Sequence, residues 1–503
     1  MKKVIASVIL VFSITLYTQA TIIHVEKGTT YPTITSALAI AMPGDTLNVY
    51  GVISKDGIPQ NGIVLNMDIC IQGQGKESTY IEATQEGLVA DRRIFTILAG
   101  NTVTIKTLSL RFGHVDASGG AIENLGILNL NNCSIYGCQG TYGGAIRNGI
   151  GATLSLYKTA IEFNSATERG GGINHIGEIL NINNCRIENN EADEEGGGIQ
   201  IENANSLIVN SSIGNNKLTS KTKLLNGMGI FIGNSNGNHV NSFVNVTIFR
   251  NKAYQQDTIS GCGGGIGLIS TAGRSSVILF NCTIAENEAA CGKGIQSYTY
   301  NDSTLNEFYM SNCIIANGTS DNYFDFSDGG KNLIYRKYTI LSDSSIAVEG
   351  DSNLNGTDPQ FDHLSDIPFE PSYYSLLDGS PAIDAGTNLN APEKDQRGAT
   401  RIGQTDIGSF EYGGVLSQPE FSEDNKAISY QIFPNPSKAV FNIISQNASK
   451  LDVFVYDQSG KLLLSNSTKN QMAIIDIGNY PSGIYFLKLI DNMHVETAKL
   501  IKY

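Results

Sequence analysis

Between Gly119 and Ile315 the chain alternates short apolar runs with small or polar corners, and the alternation recurs. Leu180-Asn181-Ile182-Asn183-Asn184-Cys185-Arg186-Ile187 and Val244-Asn245-Val246-Thr247-Ile248 alternate with period two, which is strand behaviour. No window carries a helical stripe. Three cues mark the repeat. A glycine cue ends in isoleucine at Ile122, Ile146, Ile173, Ile199, Ile230, Ile266 and Ile295. A small residue stands two places before an apolar one at Cys133/Ile135, Thr159/Ile161, Cys185/Ile187, Ser211/Ile213, Val246/Ile248, Cys282/Ile284 and Cys313/Ile315. An asparagine follows three places later at Asn164, Asn190, Asn216, Asn251 and Asn287. The step is 26 residues from Cys133 to Ser211, then 35, 36 and 31.

A period of this size predicts a solenoid. Each unit is too short to bury a core alone and must stack on its neighbours. Three short strands with glycine or asparagine corners fit one turn of a right-handed parallel β-helix, with coils about 4.8 Å apart. The asparagines are expected to form a corner ladder in left-handed backbone, bonding their own stacked copies. The glycines predict tight corners with positive φ. The longer steps after Ser211 read as loop insertions.

Composition narrows the partners. The formal net charge is −14, which argues against nucleic acid. No apolar stretch beyond the N-terminus is long enough to span a bilayer. The eight cysteines match no zinc motif. Cys133, Cys185, Cys282 and Cys313 share one repeat position and predict an inward ladder. Cys282/Cys313 and Cys262/Cys291 fall on adjacent coils, and Cys262/Cys291, before the glycine cue, is the better disulfide candidate.

The chain divides into a signal peptide (1–20), an N-terminal cap (21–48), a β-helix with a closing segment (49–412), a linker (413–427) and a small β-sandwich (428–503). Met1-Lys2-Lys3, the apolar run Val4 to Leu16 and Thr18-Gln19-Ala20 give the leader pattern. In the cap, Thr33 or Thr35 starts a short helix that Pro43-Gly44-Asp45 ends before the first strand at Thr46. This entry resembles that of secreted pectate-lyase-like β-helix proteins. Gly-Gly-Ala-Ile with a downstream Ile-x-x-Asn is similar to repeats of polymorphic outer-membrane adhesins. Asn332-Leu333-Ile334, Asp358-Pro359-Gln360-Phe361, Ser380-Pro381-Ala382-Ile383-Asp384-Ala385-Gly386, Asp395-Gln396-Arg397-Gly398 and Asp406-Ile407-Gly408-Ser409-Phe410-Glu411 resemble choice-of-anchor Q surface proteins. Pro434-Asn435-Pro436, Ser482-Gly483-Ile484-Tyr485 and Lys499-Leu500-Ile501-Lys502 resemble the type A sorting domain of type IX secretion substrates. That resemblance implies engagement of the type IX machinery through residues 428–503 and an extracellular or outer-membrane-surface location.

Catalytic residues on such a fold would project from neighbouring coils at equivalent positions. The position after the glycine-cue isoleucine reads Glu123, Arg147, Asn174, Gln200, Phe231, Gly267 and Gln296, without stacked carboxylates. Arg147, His175 and Glu202 are the catalytic candidates, a trio able to share one face over three coils. The Asn-Thr-Asp and Arg-Ile-Lys runs of polygalacturonase sites are absent. Asp193, Glu194 and Glu195 are calcium candidates against a solvated loop. Asp384, Asp395 and Asp406 with Arg397 and Arg401 are either a calcium site or turn-capping ion pairs that close the last coil. No other cofactor is indicated. Tyr136, Tyr142 and Phe231 are scattered candidates for sugar contact. The expected role is non-catalytic glycan binding or adhesion, with a polysaccharide lyase or hydrolase and a structural surface protein as alternatives.

Overall fold

The structure is a computed structural model describing residues 20–502 apart from 55–57, 59–61, 84–91, 221–224, 254–260, 348–351, 417–429, 434, 436, 446–450, 458–461, 469–471 and 491–494. The leader lies outside the described residues. The chain forms two compact units, residues 1–416 and 417–503.

The first unit is a parallel β-helix. One coil runs through Ile127–Asn131, Ser134–Tyr136, Gln139–Tyr142 and Ile146–Asn148. We number its faces one to four in that order. Stacking gives a first face of twelve strands, a second of twelve, a third of five and a fourth of ten among the described residues. The coil thus has four strands where the sequence predicts three, and the unforeseen one is the third face. Its strands, such as Glu191–Ala192 and Lys217–Leu218, are too short to alternate visibly. Apolar side chains of the other three faces fill one continuous core. Beneath the third face lies a small separate cluster that includes Ala166, Ala192, Leu218 and Met228.

The longer repeats are not loop insertions alone. First-face strands grow from five residues (Ile179–Asn183) to seven (Asn238–Val244), and fourth-face strands from three (Ile173–His175) to five (Ile230–Asn234). The N-terminal strand also comes earlier than expected: Ile22–Val25 pairs with Thr46–Val49. The helix between them, Ile34–Leu38, is capped by Thr33 with a reciprocal Ser36 bond and buries Ile34 and Ala37.

The corners follow their chemistry. Gly143 has φ +69°, and a Cβ there would run into the Ile146 carbonyl, so the first cue glycine is required. The asparagine ladder is continuous. Nδ2 of Asn164, Asn190, Asn216, Asn251 and Asn287 donates to Oδ1 of the asparagine one coil on, at 2.9–3.1 Å. The left-handed residues are not these. They precede them: Phe163, Asn189, Asn215, Arg250 and Glu286. The ladder asparagines are buried because their amides satisfy carbonyls such as Ile187 O as well as each other.

The segment 358–412 is a strap that packs Leu376, Ala382, Ile407 and Phe410 on Ile314 and Ile340. It folds back along the outside of the second face. Its Ser372 meets Arg186 Nη1 (2.7 Å) and Ser212 (3.0 Å). Tyr374 packs edge-on against Phe249, Ser409 N donates to Thr283 Oγ1 (3.1 Å) and Thr387 exchanges two 2.8 Å bonds with Asn312. The strap's own carboxylates cap its turns. Asp395 accepts from the amides of Arg397, Ala399 and Glu411 and from the Arg397 guanidinium, and Arg401 pairs with Glu411 at 2.8 Å. Asp406 accepts from Asp384 N.

The second unit has a three-stranded antiparallel sheet (Tyr430–Phe433, Val440–Ser445, Met472–Asp476). A four-stranded sheet (Leu462–Thr468, Leu451–Tyr456, Gly483–Ile490, Val495–Lys502) joins it. Phe441, Ile443, Val453, Val455, Ile475 and Leu487 are among its core residues.

Candidate functional site

The fourth face brings the catalytic candidates into view. Its strands pair in register, so Glu123, Arg147, Asn174, Gln200, Phe231, Gly267, Gln296 and Phe324 form one column on the outer side. A polar chain runs along it. Arg93 pairs with Glu123 at 2.8 Å, Arg147 bonds Asn174 Oδ1, Asn174 Nδ2 bonds Gln200 Oε1, and Gln200 Nε2 reaches Glu202 at 3.3 Å. Glu202 sits over Gly233 of the next coil, where a Cβ would collide with its carboxylate.

His175 does not join them. It lies in the neighbouring column with Asn148 and Ile201, fully buried, with Nδ1 at 2.9 Å from Asn148 Nδ2. That contact makes Nδ1 the acceptor and puts the proton on Nε2, which has no partner among the described residues. Burial, and secondarily the Arg147 charge, push its pKa down to about 4, so the ring is neutral and faces the core. Arg147 and Glu202 share the outer side; the trio does not converge.

The acidic stretch 193–195 is engaged by the protein itself. Arg169 lies 3.3 Å from Glu194 and 3.4 Å from Glu195, and Asp193 accepts from Thr219 at 2.6 Å. Burial raises the Glu195 pKa to about 7 against the pull of Arg169, and Glu202 and Glu194 add to it. Burial also raises Glu202. A cation here would compete with the Arg169 guanidinium. No three His, Cys, Asp or Glu side chains among the described residues are placed to hold a metal.

Cys262 and Cys291 face each other at the corner before the glycine cue, Cα atoms 4.7 Å apart and sulfurs bonded. Cys133, Cys185, Cys282 and Cys313 are buried thiols. Desolvation lifts Cys133 to about 11 and Cys185 to about 12. Denaturing alkylation without reductant is therefore expected to label six of the eight cysteines. Native alkylation should leave the buried ones unmodified. Intact mass reads both, and eight labels without reductant would show that the bond does not form.

Aromatic side chains gather where the sequence signals little. Tyr298 stacks on Phe326 (4.9 Å, 21°) and lies 4.4 Å from Tyr300 on the outer side of the fourth face. Tyr300, Phe324 and Phe326 are exposed. Tyr309 stacks on Tyr335 (4.8 Å, 12°) on the first face. The signal was the third position after the cue isoleucine, occupied by Ile269, Tyr298 and Phe326 in register. Of the residues the sequence singles out, Phe231 is buried. Tyr136 packs between Phe112 and Phe163, and Tyr142 bonds Glu168 beside Arg147.

Residues 431–503 match the family described as Secretion system C-terminal sorting domain. No curated protein matches the chain. The second unit thus carries the address: it implies engagement of the type IX secretion machinery and export to the cell surface or the extracellular space. No helix among the described residues is long and apolar enough to cross a membrane.

Proposed function

We propose that this chain, delivered to the surface by its sorting domain, is a non-catalytic glycan-binding or adhesive protein of the choice-of-anchor Q kind. Residues 21–412 act as the passenger and 428–503 as the address. The observation that carries this is the aromatic platform of exposed Tyr300 and Phe326 on half-buried Tyr298. Flat, solvent-facing rings held by strand register present apolar faces that sugar rings can cover, and they lose little entropy on binding.

A polysaccharide lyase or hydrolase is the competing proposal. Glu195 favours it, a carboxyl titrating near pH 7 beside Glu202 and Arg169. Against it stands His175, turned to the core and unable to exchange protons with a bound substrate.

A glycan array with the full chain, followed by a uronate-release assay with calcium, separates the two. Binding without product is expected, and the Tyr298→Ala/Phe326→Ala pair should weaken it at least tenfold, the loss of about 1.4 kcal/mol in binding free energy. Unsaturated or reducing-end products abolished by Glu195→Gln would establish the enzyme instead.

A further inference from the structure

A second surface feature lies on the corner between the second and third faces. The left-handed corner residues stack into a line: Phe163, Asn189, Asn215, Arg250 and Glu286. Alongside it, the third face carries Glu191, Lys217, Lys252 and Glu288 in register. Between the two lines opens a cleft of about 400 Å³, lined by Asn189, Asn215, Lys217, Arg250, Lys252, Glu286 and Glu288.

Along the third face each lysine has one acidic and one basic strand neighbour, in the order Glu191, Lys217, Lys252, Glu288. Arg250 is matched by Glu286 at 2.6 Å. Lys217 and Lys252, in contrast, are direct strand partners on adjacent coils. Like charges placed opposite each other across a strand pair repel. Neither ammonium has an ion pair or hydrogen bond among the described residues, and the carboxamides of Asn189 and Asn215 are also unpartnered there. Two lysines without an ion pair and two amide donors thus line one open space, together with the Arg250–Glu286 pair and Glu288. At the near end of the corner line the Phe163 ring is 53% exposed and packs on Tyr136. It lies two coils from Lys217, roughly 10 Å at the strand-pairing distance.

We infer that this cleft binds an oxyanion, a carboxylate or sulfate ester, carried on the glycan, with Lys217 and Lys252 as its seat and Asn189 and Asn215 as neutral donors. Phe163 takes the face of a neighbouring sugar ring. Glu288 closes the far end and sets the polarity of the chain in the cleft. The inference rests on the glycan-binding proposal and adds the ligand's charge. It uses residues separate from the aromatic platform, so the two can fail independently.

The test measures affinities of the full-length protein by calorimetry for three probes: unsulfated chondroitin oligosaccharides, their sulfated counterparts, and neutral chitooligosaccharides. The first two distinguish carboxylate from sulfate as the bound group. At least one acidic probe is expected to bind, and the affinity should fall at least tenfold in Lys217→Gln/Lys252→Gln while any binding of the neutral probe is unchanged. Raising salt should weaken the acidic probe selectively, since the seat is solvent-accessible. Should the double variant not reach the wild-type melting temperature, Lys217→Gln alone carries the same expectation at about threefold. Undiminished acidic binding in a folded variant would overturn the cleft, even if Tyr298→Ala/Phe326→Ala abolishes neutral binding and so upholds the platform. Equal loss of neutral and acidic probes would overturn it too. Loss confined to the acidic probes, with the platform variant unaffected, would uphold the cleft and remove the platform.

Discussion

Asn216→Ala is expected to lower the unfolding free energy of the β-helix by about 4 kcal/mol. Asn216 is fully buried. Its Oδ1 accepts from Asn190 N (2.9 Å) and Asn190 Nδ2 (3.1 Å), and its Nδ2 donates to Ile187 O (3.0 Å) and Asn251 Oδ1 (3.0 Å). Alanine removes all four bonds at once, takes the acceptor from the buried Asn190 N–H and leaves Asn190 Nδ2 with Ile161 O alone. Each orphaned buried group costs about 1–3 kcal/mol. The urea midpoint at constant slope measures the loss. A change under about 1 kcal/mol would mean that the ladder fills space and contributes little through its hydrogen bonds.

The second large effect is at the strap. Arg186 is a single buried cation facing Glu162 (2.7 Å), Glu188 (2.9 Å) and Asp366 (2.7 Å), with Ser372 on Nη1. Removing one partner of a buried charge group typically costs about 3–5 kcal/mol, and Arg186→Ala is expected to fall in that range. It should also loosen residues 366–372, seen as faster hydrogen exchange there. The pH dependence has a definite sign. Burial pushes Glu188 up to about 7 from an unfolded value near 4.5, against the pull of Arg186. The folded state then holds a proton that the unfolded chain has already lost. This group's contribution is fully present below about pH 4.5 and disappears as pH rises through about 7. Glu188→Gln should flatten that part of the stability profile. A wild-type profile that instead rises from pH 5 to 7, unchanged in Glu188→Gln, would contradict the assignment.

The repeat was legible because its corners need particular residues. Glycine before Ile146 and asparagine after Ile161 are chemical necessities of a stacked coil. The face of a side chain was harder to read. Arg147, His175 and Glu202 stand one, two and three places after their cue isoleucines, and strand side chains alternate. One and three point outward, two points in, so His175 was lost to the site by a single position. The third face leaves no trace in the pattern because strands such as Glu191–Ala192 are too short to show a period. The strap's composition could be read as turn-capping carboxylates, but its position could not. Ser372 meets Arg186 across 186 residues, and no local pattern reports a contact that distant. The aromatic platform was hidden likewise: Tyr298 and Phe326 are 28 places apart and become neighbours only through register.

A stack of coils in which each touches only the next would ordinarily unravel from an end, one turn at a time. The return of residues 366–409 along the second face changes that. Thr247, Thr283 and Asn312, on three successive turns, are all fastened to this one returning segment, as are Arg186 and Ser212 before them. None of these turns can open without tearing a stretch of chain that also holds the others. Nearest-neighbour coupling becomes collective coupling over the middle of the molecule. The segment's docking sites exist only where the strands through Asn312 are stacked, and contacts this remote in sequence are slow to form. The stacked turns are thus laced together by a segment that follows them in the chain.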